Sequence, residues 1–135
     1  MAHEGGCLCG AVRFSIDAEP LLTRRCWCRL CQYLSAGGGT VNIAFPSDAL
    51  TLSGEVRWHD GIADSGNAMH RGFCPTFGTP LFSRSDARPH LVIVRAGALD
   101  NPALLPPQME IWTEAAPDWA VLDPAIPHHP AQNPQ

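Results

Sequence analysis

The sequence predicts a mainly β fold, and three features of the chain support that prediction. Of its 135 residues, 13 are proline and 12 are glycine, a content that favours short strands and turns over long helices. Several short runs alternate apolar with polar residues, which is the period of a half-buried strand. Six cysteines fall into two sets, and a metal bound to them would help to stabilise a single small domain.

Two strands are predicted in the N-terminal region. Val12, Phe14 and Ile16 alternate with polar residues, so the segment that carries them should bury one face. After Pro20, residues 21–25 form a short strand that leads the chain into the denser set of cysteines.

Further strands are predicted in the middle of the chain. Residues 41–45 form a strand that Pro46 stops, and Ser47 is expected to cap a helical turn. Residues 50–58 suggest a hairpin, and residues 59–67 read as a polar, glycine-containing loop.

The C-terminal part combines strands with an irregular end. Residues 91–96 are the most apolar β-branched run and predict a central strand, and residues 108–112 predict another. Trp119 is expected to anchor a turn. The last stretch is rich in Pro, His and Gln, so the predicted division is a domain over residues 1–122 and an irregular tail over residues 123–135.

The strongest chemical signal is the triplet Cys26, Cys28 and Cys31, spaced C-x-C-x-x-C. In a reducing compartment this spacing favours metal ligation over disulfides, and all-thiolate ligation favours zinc, with iron as the other metal that such a site can hold. Three thiolates leave one tetrahedral position open, which is typical of a catalytic zinc. The alternative is a structural site that a fourth ligand elsewhere closes.

A cluster of arginines lies beside this triplet. Arg24, Arg25 and Arg29 could bind a substrate carboxylate, because guanidinium groups match carboxylates in geometry. The alternative is that they are solvated surface charges. The net charge is -4 and no basic run is present, which argues against nucleic acid as a partner.

The second cysteine set is sparser. Cys7 and Cys9 lie two residues apart, so in an extended segment both thiolates could reach one ion. Cys74 opens a turn similar to a zinc knuckle, but Phe77 stands where another cysteine would complete that knuckle. Phenylalanine cannot bind a metal, so zinc at this second set is expected to be held less tightly.

The ends and the hydropathy of the chain predict its location. Residues 1–6 carry neither a basic nor an apolar leader segment, and no stretch approaches the roughly 20 apolar residues of a membrane span. We therefore expect a cytoplasmic protein with no membrane partner.

Taken in order, these motifs resemble one family, the glutathione-dependent formaldehyde-activating enzymes, which share a domain with centromere protein V-like proteins. The resemblance runs over most of residues 5–120. Its motifs are Gly6-Cys7-Leu8-Cys9-Gly10, the triplet Cys26, Cys28 and Cys31, Arg71-Gly72-Phe73-Cys74, Gly78-Thr79-Pro80-Leu81-Phe82 and Ala96-Gly97-Ala98-Leu99-Asp100.

The resemblance implies small antiparallel sheets around two zinc sites, in an Mss4-like fold. It implies condensation of glutathione with formaldehyde to S-hydroxymethylglutathione, a carbon–sulfur lyase activity in the reverse sense. The implied ligands are Cys7, Cys9 and Cys74 for a structural zinc and Cys26, Cys28 and Cys31 for a catalytic zinc.

This chain departs from the family pattern in two places. Phe77 replaces the fourth structural ligand, and Glu110 stands where many relatives carry histidine. Without that fourth ligand, three thiolates could still hold zinc with water, His3 or His70, or Phe77 could pack as an apolar plug in place of an ion.

Two other functions remain open at this point. One is a zinc-stabilised binding module without catalysis, and the other is an enzyme of the same fold that uses a different thiol or aldehyde. His59 and His70 are the candidate general bases. The expected partners are a small thiol and an aldehyde, and the oligomeric state is left open.

Overall fold

A computed structural model describes residues 2–63 and 65–133, and its fold is mainly β, as the sequence predicts. Those residues form ten strands and one short α-helix, joined by turns and 3-10 segments. The helix is α1 (Arg29–Leu34). The strands are β1 (His3–Gly6), β2 (Arg13–Ile16), β3 (Leu22–Cys26), β4 (Thr40–Pro46), β5 (Leu50–Ser53), β6 (Arg57–Ile62), β7 (Ala68–Phe73), β8 (Pro80–Ser85), β9 (Leu91–Arg95) and β10 (Met109–Ile111).

The strands form two sheets of unequal size. A three-stranded antiparallel sheet has the order β1-β2-β5, and a seven-stranded sheet has the order β10-β3-β4-β9-β8-β7-β6. Strand β10 is parallel to β3, and the other neighbours in the larger sheet are antiparallel. Strand β9 lies fourth of seven, so the prediction of a central strand from its β-branched run is confirmed.

The main core joins the two sheets. Phe14 of the small sheet packs edge-on against Phe82 of the large sheet, with ring centroids 5.1 Å apart. Ile16, Ile43 and Val94 are fully buried in the same cluster. The alternation that predicts β2 therefore also identifies the side chains that hold the sheets together.

The hairpin predicted for residues 50–58 is wrong. Strand β5 pairs with β2 and β6 pairs with β7, so the two strands belong to different sheets. Gly54, at φ 95°, turns the chain between them against the carbonyl of Ala11. The loop predicted for residues 59–67 is also wrong over its first part, because β6 is an edge strand, where polar side chains meet solvent.

Helix α1, which Cys28 caps, was not predicted from the sequence and is six residues long. Two local predictions are corrected as well. Ser47 does not cap its 3-10 turn, because its hydroxyl donates to the carbonyl of Pro89 instead. Trp119 is 67% exposed and anchors nothing.

The C-terminal segment lies along β10. The backbone N–H of Glu110 donates to Pro127 O, and the N–H of His129 donates back to Glu110 O. Its last two residues, 134 and 135, lie outside the described part. No helix within residues 2–63 and 65–133 is long and apolar enough to cross a membrane.

Candidate metal centre

The structure brings Cys26, Cys28 and Cys31 together at the end of β3. Cys26 is the last residue of the strand, Cys28 caps α1, and Cys31 lies in the first turn of that helix, where its N–H donates to Cys28 Sγ at 3.4 Å. The three sulfurs lie within 4.8 Å of one another. Cys26 and Cys31 are buried and Cys28 is half-buried, so Cys28 is the member of the group most accessible to solvent.

Contacts among the three thiols shift their pKa values in opposite directions. Hydrogen bonds from Cys26 and Cys28 lower the pKa of Cys31 to about 2 against the effect of burial. The pKa of Cys26 is raised, by its hydrogen bonds with Cys28 and Cys31 and by burial. The three thiols form hydrogen bonds with one another, an arrangement in which a divalent cation can replace their protons. Three soft donors at this spacing fit a zinc ion.

The second group, Cys7, Cys9 and Cys74, is also assembled. Cys9 Sγ lies 3.4 Å from Cys7 Sγ and 3.6 Å from Cys74 Sγ, and all three sulfurs are within 4.8 Å of one another. Burial acts to raise the pKa of Cys7, but hydrogen bonds with Thr79 and the other two cysteines lower it to about 6. This donor set fits the same kind of ion.

Phe77 does not replace the ion in this second group. Its side chain is 59% exposed, so the apolar plug considered from the sequence is wrong. Cys9 is exposed, whereas Cys7 and Cys74 are buried. Each of the two groups consists of three cysteines, and no described histidine, aspartate or glutamate belongs to either group.

The three arginines predicted to bind substrate lie in different environments. Arg25 Nε and Nη2 donate to the two carboxylate oxygens of Glu110, both at 2.5 Å. Arg24 lies on the other face of β3, where its Nη1 donates to Asn133 Oδ1 at 2.6 Å. Arg29 is exposed, and its guanidinium lies 4.9 Å from the ring centroid of Tyr33.

Glu110 is a site residue whose contacts the sequence did not indicate. It is fully buried and accepts hydrogen bonds from Arg25, from Trp27 Nε1 at 2.8 Å and from Asp123 N at 2.8 Å. Burial acts to raise the pKa of Glu110, but these three partners hold it below its ordinary value of 4.5. Trp27 N also donates to Ile111 O, so this network fixes the loop between the first two thiols.

A second set of buried hydrogen bonds lies near the thiols. Arg95 Nη1 donates to Asn42 Oδ1 at 2.6 Å, and Asn42 Nδ2 donates to Thr40 Oγ1 at 2.9 Å. Thr40 and Arg95 both act to lower the pKa of Cys31. The signal that could have revealed Arg95 is a charged residue at the end of the most apolar strand.

The two histidines proposed as general bases are placed apart from the thiols. His70 lies between two carboxylates, with Nδ1 2.6 Å from Asp60 and Nε2 2.7 Å from Asp86, and both raise its pKa. His59 is exposed on the edge strand β6. Neither histidine belongs to the cysteine groups.

Two comparisons with known proteins indicate one family, and a third shows a similar fold. A family model described as glutathione-dependent formaldehyde-activating enzyme matches residues 2–115. A curated Halomonas elongata protein, provisionally named a glutathione-dependent formaldehyde-activating enzyme, is 31% identical over 132 residues, which cover 91% of this chain and 82% of that protein. A crystal structure of a Rhodobacter sphaeroides protein superposes with a TM-score of 0.59 at 17% identity, covering 93% of this chain and 98% of that one.

Proposed function

Since this chain belongs to the glutathione-dependent formaldehyde-activating enzyme family, we propose that it catalyses addition of a glutathione-type thiol to an aldehyde such as formaldehyde. The product would be S-hydroxymethylglutathione, and the reverse reaction is that of a carbon–sulfur lyase. The observation that supports the proposal most directly is the group of Cys26, Cys28 and Cys31, whose sulfurs lie within 4.8 Å of one another. A cytoplasmic location and an Mss4-like fold are part of the same proposal.

The sulfurs of Cys26, Cys28 and Cys31 would hold zinc, and three protein ligands are typical of a catalytic zinc. Zinc held in this way would supply Lewis acidity, which lowers the pKa of a thiol and polarises a carbonyl. Addition forms one carbon–sulfur bond, breaks the carbonyl π bond and moves the thiol proton to oxygen, so no oxidant or reductant is needed. Substrate would enter beside Cys28, which is the half-buried member of the group.

Arginines beside the triplet would orient the substrate. Arg24 and Arg29 have no carboxylate partner among the described residues, so they are free to take one from the substrate. Arg25 would have to release Glu110 to act in the same way, which its two 2.5 Å hydrogen bonds oppose.

The proposal is tested by measuring how fast formaldehyde-bound and free glutathione exchange once the mixture has reached equilibrium. Zinc-loaded protein at micromolar concentration should speed exchange between formaldehyde-bound and free glutathione above the spontaneous rate, measured by NMR exchange spectroscopy. Protein freed of zinc by a chelator is the control. Equal rates with and without loaded protein, for glutathione and for other small thiols, would show that the centre is not catalytic.

The second cysteine group would hold a separate zinc. Phe77→Cys is expected to slow the loss of that zinc to EDTA roughly tenfold or more, because a fourth thiolate closes the coordination shell. Phe77 lies in the turn that begins at Cys74 and that the hydrogen bond from Gly78 N to Cys74 O closes. The measurement is zinc release to a chromophoric indicator.

Phe77→Ser is the matched control for this prediction. It removes the same exposed ring and supplies no thiolate, so it should release zinc as the wild type does. If both variants release zinc at one rate, position 77 does not reach the ion.

A further inference from the structure

Residues 123–133 lie along the edge of β10 that faces away from β3, and we name them the C-terminal strap. Glu110 N donates to Pro127 O and His129 N donates to Glu110 O, both at 2.9 Å, so the strap bonds to β10 as a neighbouring strand would. The match to the family model ends at residue 115. The strap therefore lies beyond the part of the chain that the family model describes.

The strap holds Trp112 in an unusual backbone conformation. Trp112 has φ 55° and ψ 37°, the left-handed region, which is rare for a bulky side chain. Its backbone N–H donates to Ala131 O at 3.0 Å, and its indole Nε1 donates to Gln132 Oε1 at 3.3 Å. Such a conformation persists only where the surroundings impose it, and here the strap supplies both hydrogen-bond acceptors.

The turn that follows Trp112 is fixed from the other side by helix α1. Buried Gln32 of that helix donates through Nε2 to Ala115 O at 2.9 Å and to Trp27 O at 2.8 Å. One amide group thus ties the 3-10 turn Thr113–Ala115 to the loop between the first two thiols. Trp112 is therefore held between the strap and the segment that carries the thiols.

Trp112 packs on the thiol group itself. The centre of the small core there consists of three buried residues, which are Cys26, Cys31 and Ile111. Three partly buried residues pack against that centre, and they are Cys28, Met109 and Trp112. A reactant that approaches Cys28 from solvent therefore arrives beside an indole ring and a thioether side chain.

We propose that Trp112, held by the C-terminal strap, is a fixed wall beside the thiol group that admits small reactants and excludes bulky ones. Trp112 is the specificity-determining residue, and the strap acts through it as a positioning element. For the reaction proposed above, the wall limits the aldehyde to one with a small substituent or none. The inference rests on the proposed function for the identity of that reactant.

The test is the size dependence of Cys28 labelling in the zinc-loaded protein. N-ethylmaleimide and N-cyclohexylmaleimide carry the same reacting group on substituents of different bulk, and peptide mass spectrometry gives the labelling rate at each cysteine. We expect the larger reagent to label Cys28 of the wild type roughly tenfold more slowly than the smaller one. Exposed Cys9 is the internal reference, because its rates report the intrinsic difference between the reagents.

Trp112→Gly should reduce this discrimination at Cys28 to within about twofold. Glycine adopts a positive φ without strain, so the substitution removes the indole and leaves the turn favoured. Trp119→Gly is the matched control, because it removes an exposed indole and should keep the roughly tenfold discrimination.

His129→Pro tests the strap while Trp112 stays in place. It removes the N–H that donates to Glu110 O, and Pro130 already favours an extended backbone at residue 129. We expect the discrimination at Cys28 to fall roughly threefold, the usual effect of losing one hydrogen bond.

The proposal is overturned if the wild type labels Cys28 equally fast with both reagents, or if Trp112→Gly keeps the discrimination. Zinc content is measured on each preparation. A Trp112→Gly protein that loses zinc and is labelled faster by both reagents to the same extent would show that Trp112 only stabilises the centre. Unchanged discrimination in His129→Pro would overturn the role of the strap.

Labelling requires no turnover, so this inference and the proposed function fail separately. A protein that discriminates between the reagents at Cys28 but does not speed thiol–formaldehyde exchange would keep the wall and lose the proposed activity.

Discussion

Cys28→Ser is expected to lower turnover more than about 100-fold and to remove one zinc per chain, because it leaves only two thiolates at the proposed catalytic centre. The fold should survive this change. Cys28 caps helix α1 through its side chain, and serine is among the best residues at that position. Zinc content, circular dichroism and thiol–formaldehyde exchange measured on one preparation provide the test.

Cys9→Ser is the contrasting variant for this prediction. It should lose zinc from the group of Cys7, Cys9 and Cys74 while the other group keeps its ion, since the two groups share no residue. A folded Cys28→Ser protein that has lost one zinc but keeps full turnover would contradict the enzyme and favour a zinc-stabilised binding module.

Glu110→Ala is expected to destabilise the fold by about 3 kcal/mol. Removing one partner of a buried ion pair typically costs 3–5 kcal/mol, and the lower end applies because the Arg25 side chain stays 26% exposed. The change also leaves Trp27 Nε1 and Asp123 N without their acceptor. Thermal unfolding should show a Tm roughly 10 °C below that of the wild type.

Two comparisons sharpen this prediction. Glu114→Ala removes an exposed carboxylate four residues away and should change stability by less than about 0.5 kcal/mol. Arg25→Met combined with Glu110→Met should be less destabilising than Glu110→Ala, because no buried charge is left unpaired. If Glu110→Ala is as stable as Glu114→Ala, the network around Glu110 does not hold the thiol loop.

The contribution of Glu110 should also depend on pH. Its pKa is lower in the folded protein than the ordinary 4.5, so its stabilisation is present above pH 4.5 and is lost as pH falls through the folded value. The Tm difference between the wild type and Glu110→Ala should therefore be largest near neutral pH and shrink in acid. A difference that stays constant below pH 4.5 would mean that ionisation of Glu110 is not what stabilises the fold.

Arg24 and Arg25 illustrate why part of the site could not be predicted. Their closeness in sequence suggested that both face the substrate, but alternation along β3 sends Arg25 to Glu110 on β10 and leaves Arg24 on the face of Cys26. The partner that decides this lies 85 residues away. Arg95 acts on Cys31 from β9, and its only local signal is a charge at the end of an apolar strand, which does not say what that charge faces.

The sequence by itself determined the mainly β class, the strands around Phe14 and Val94, and the grouping of Cys26, Cys28 and Cys31. These features follow from the alternation of apolar and polar residues and from the spacing of the cysteines, which are both visible within a few neighbouring residues. Only the tertiary structure decided that Cys74 meets Cys9, 65 residues away, that Phe77 stays in solvent, and which arginines share the face of the thiols. Those outcomes depend on the register of strands distant in the chain, where a shift of one residue would move every side chain to the other face.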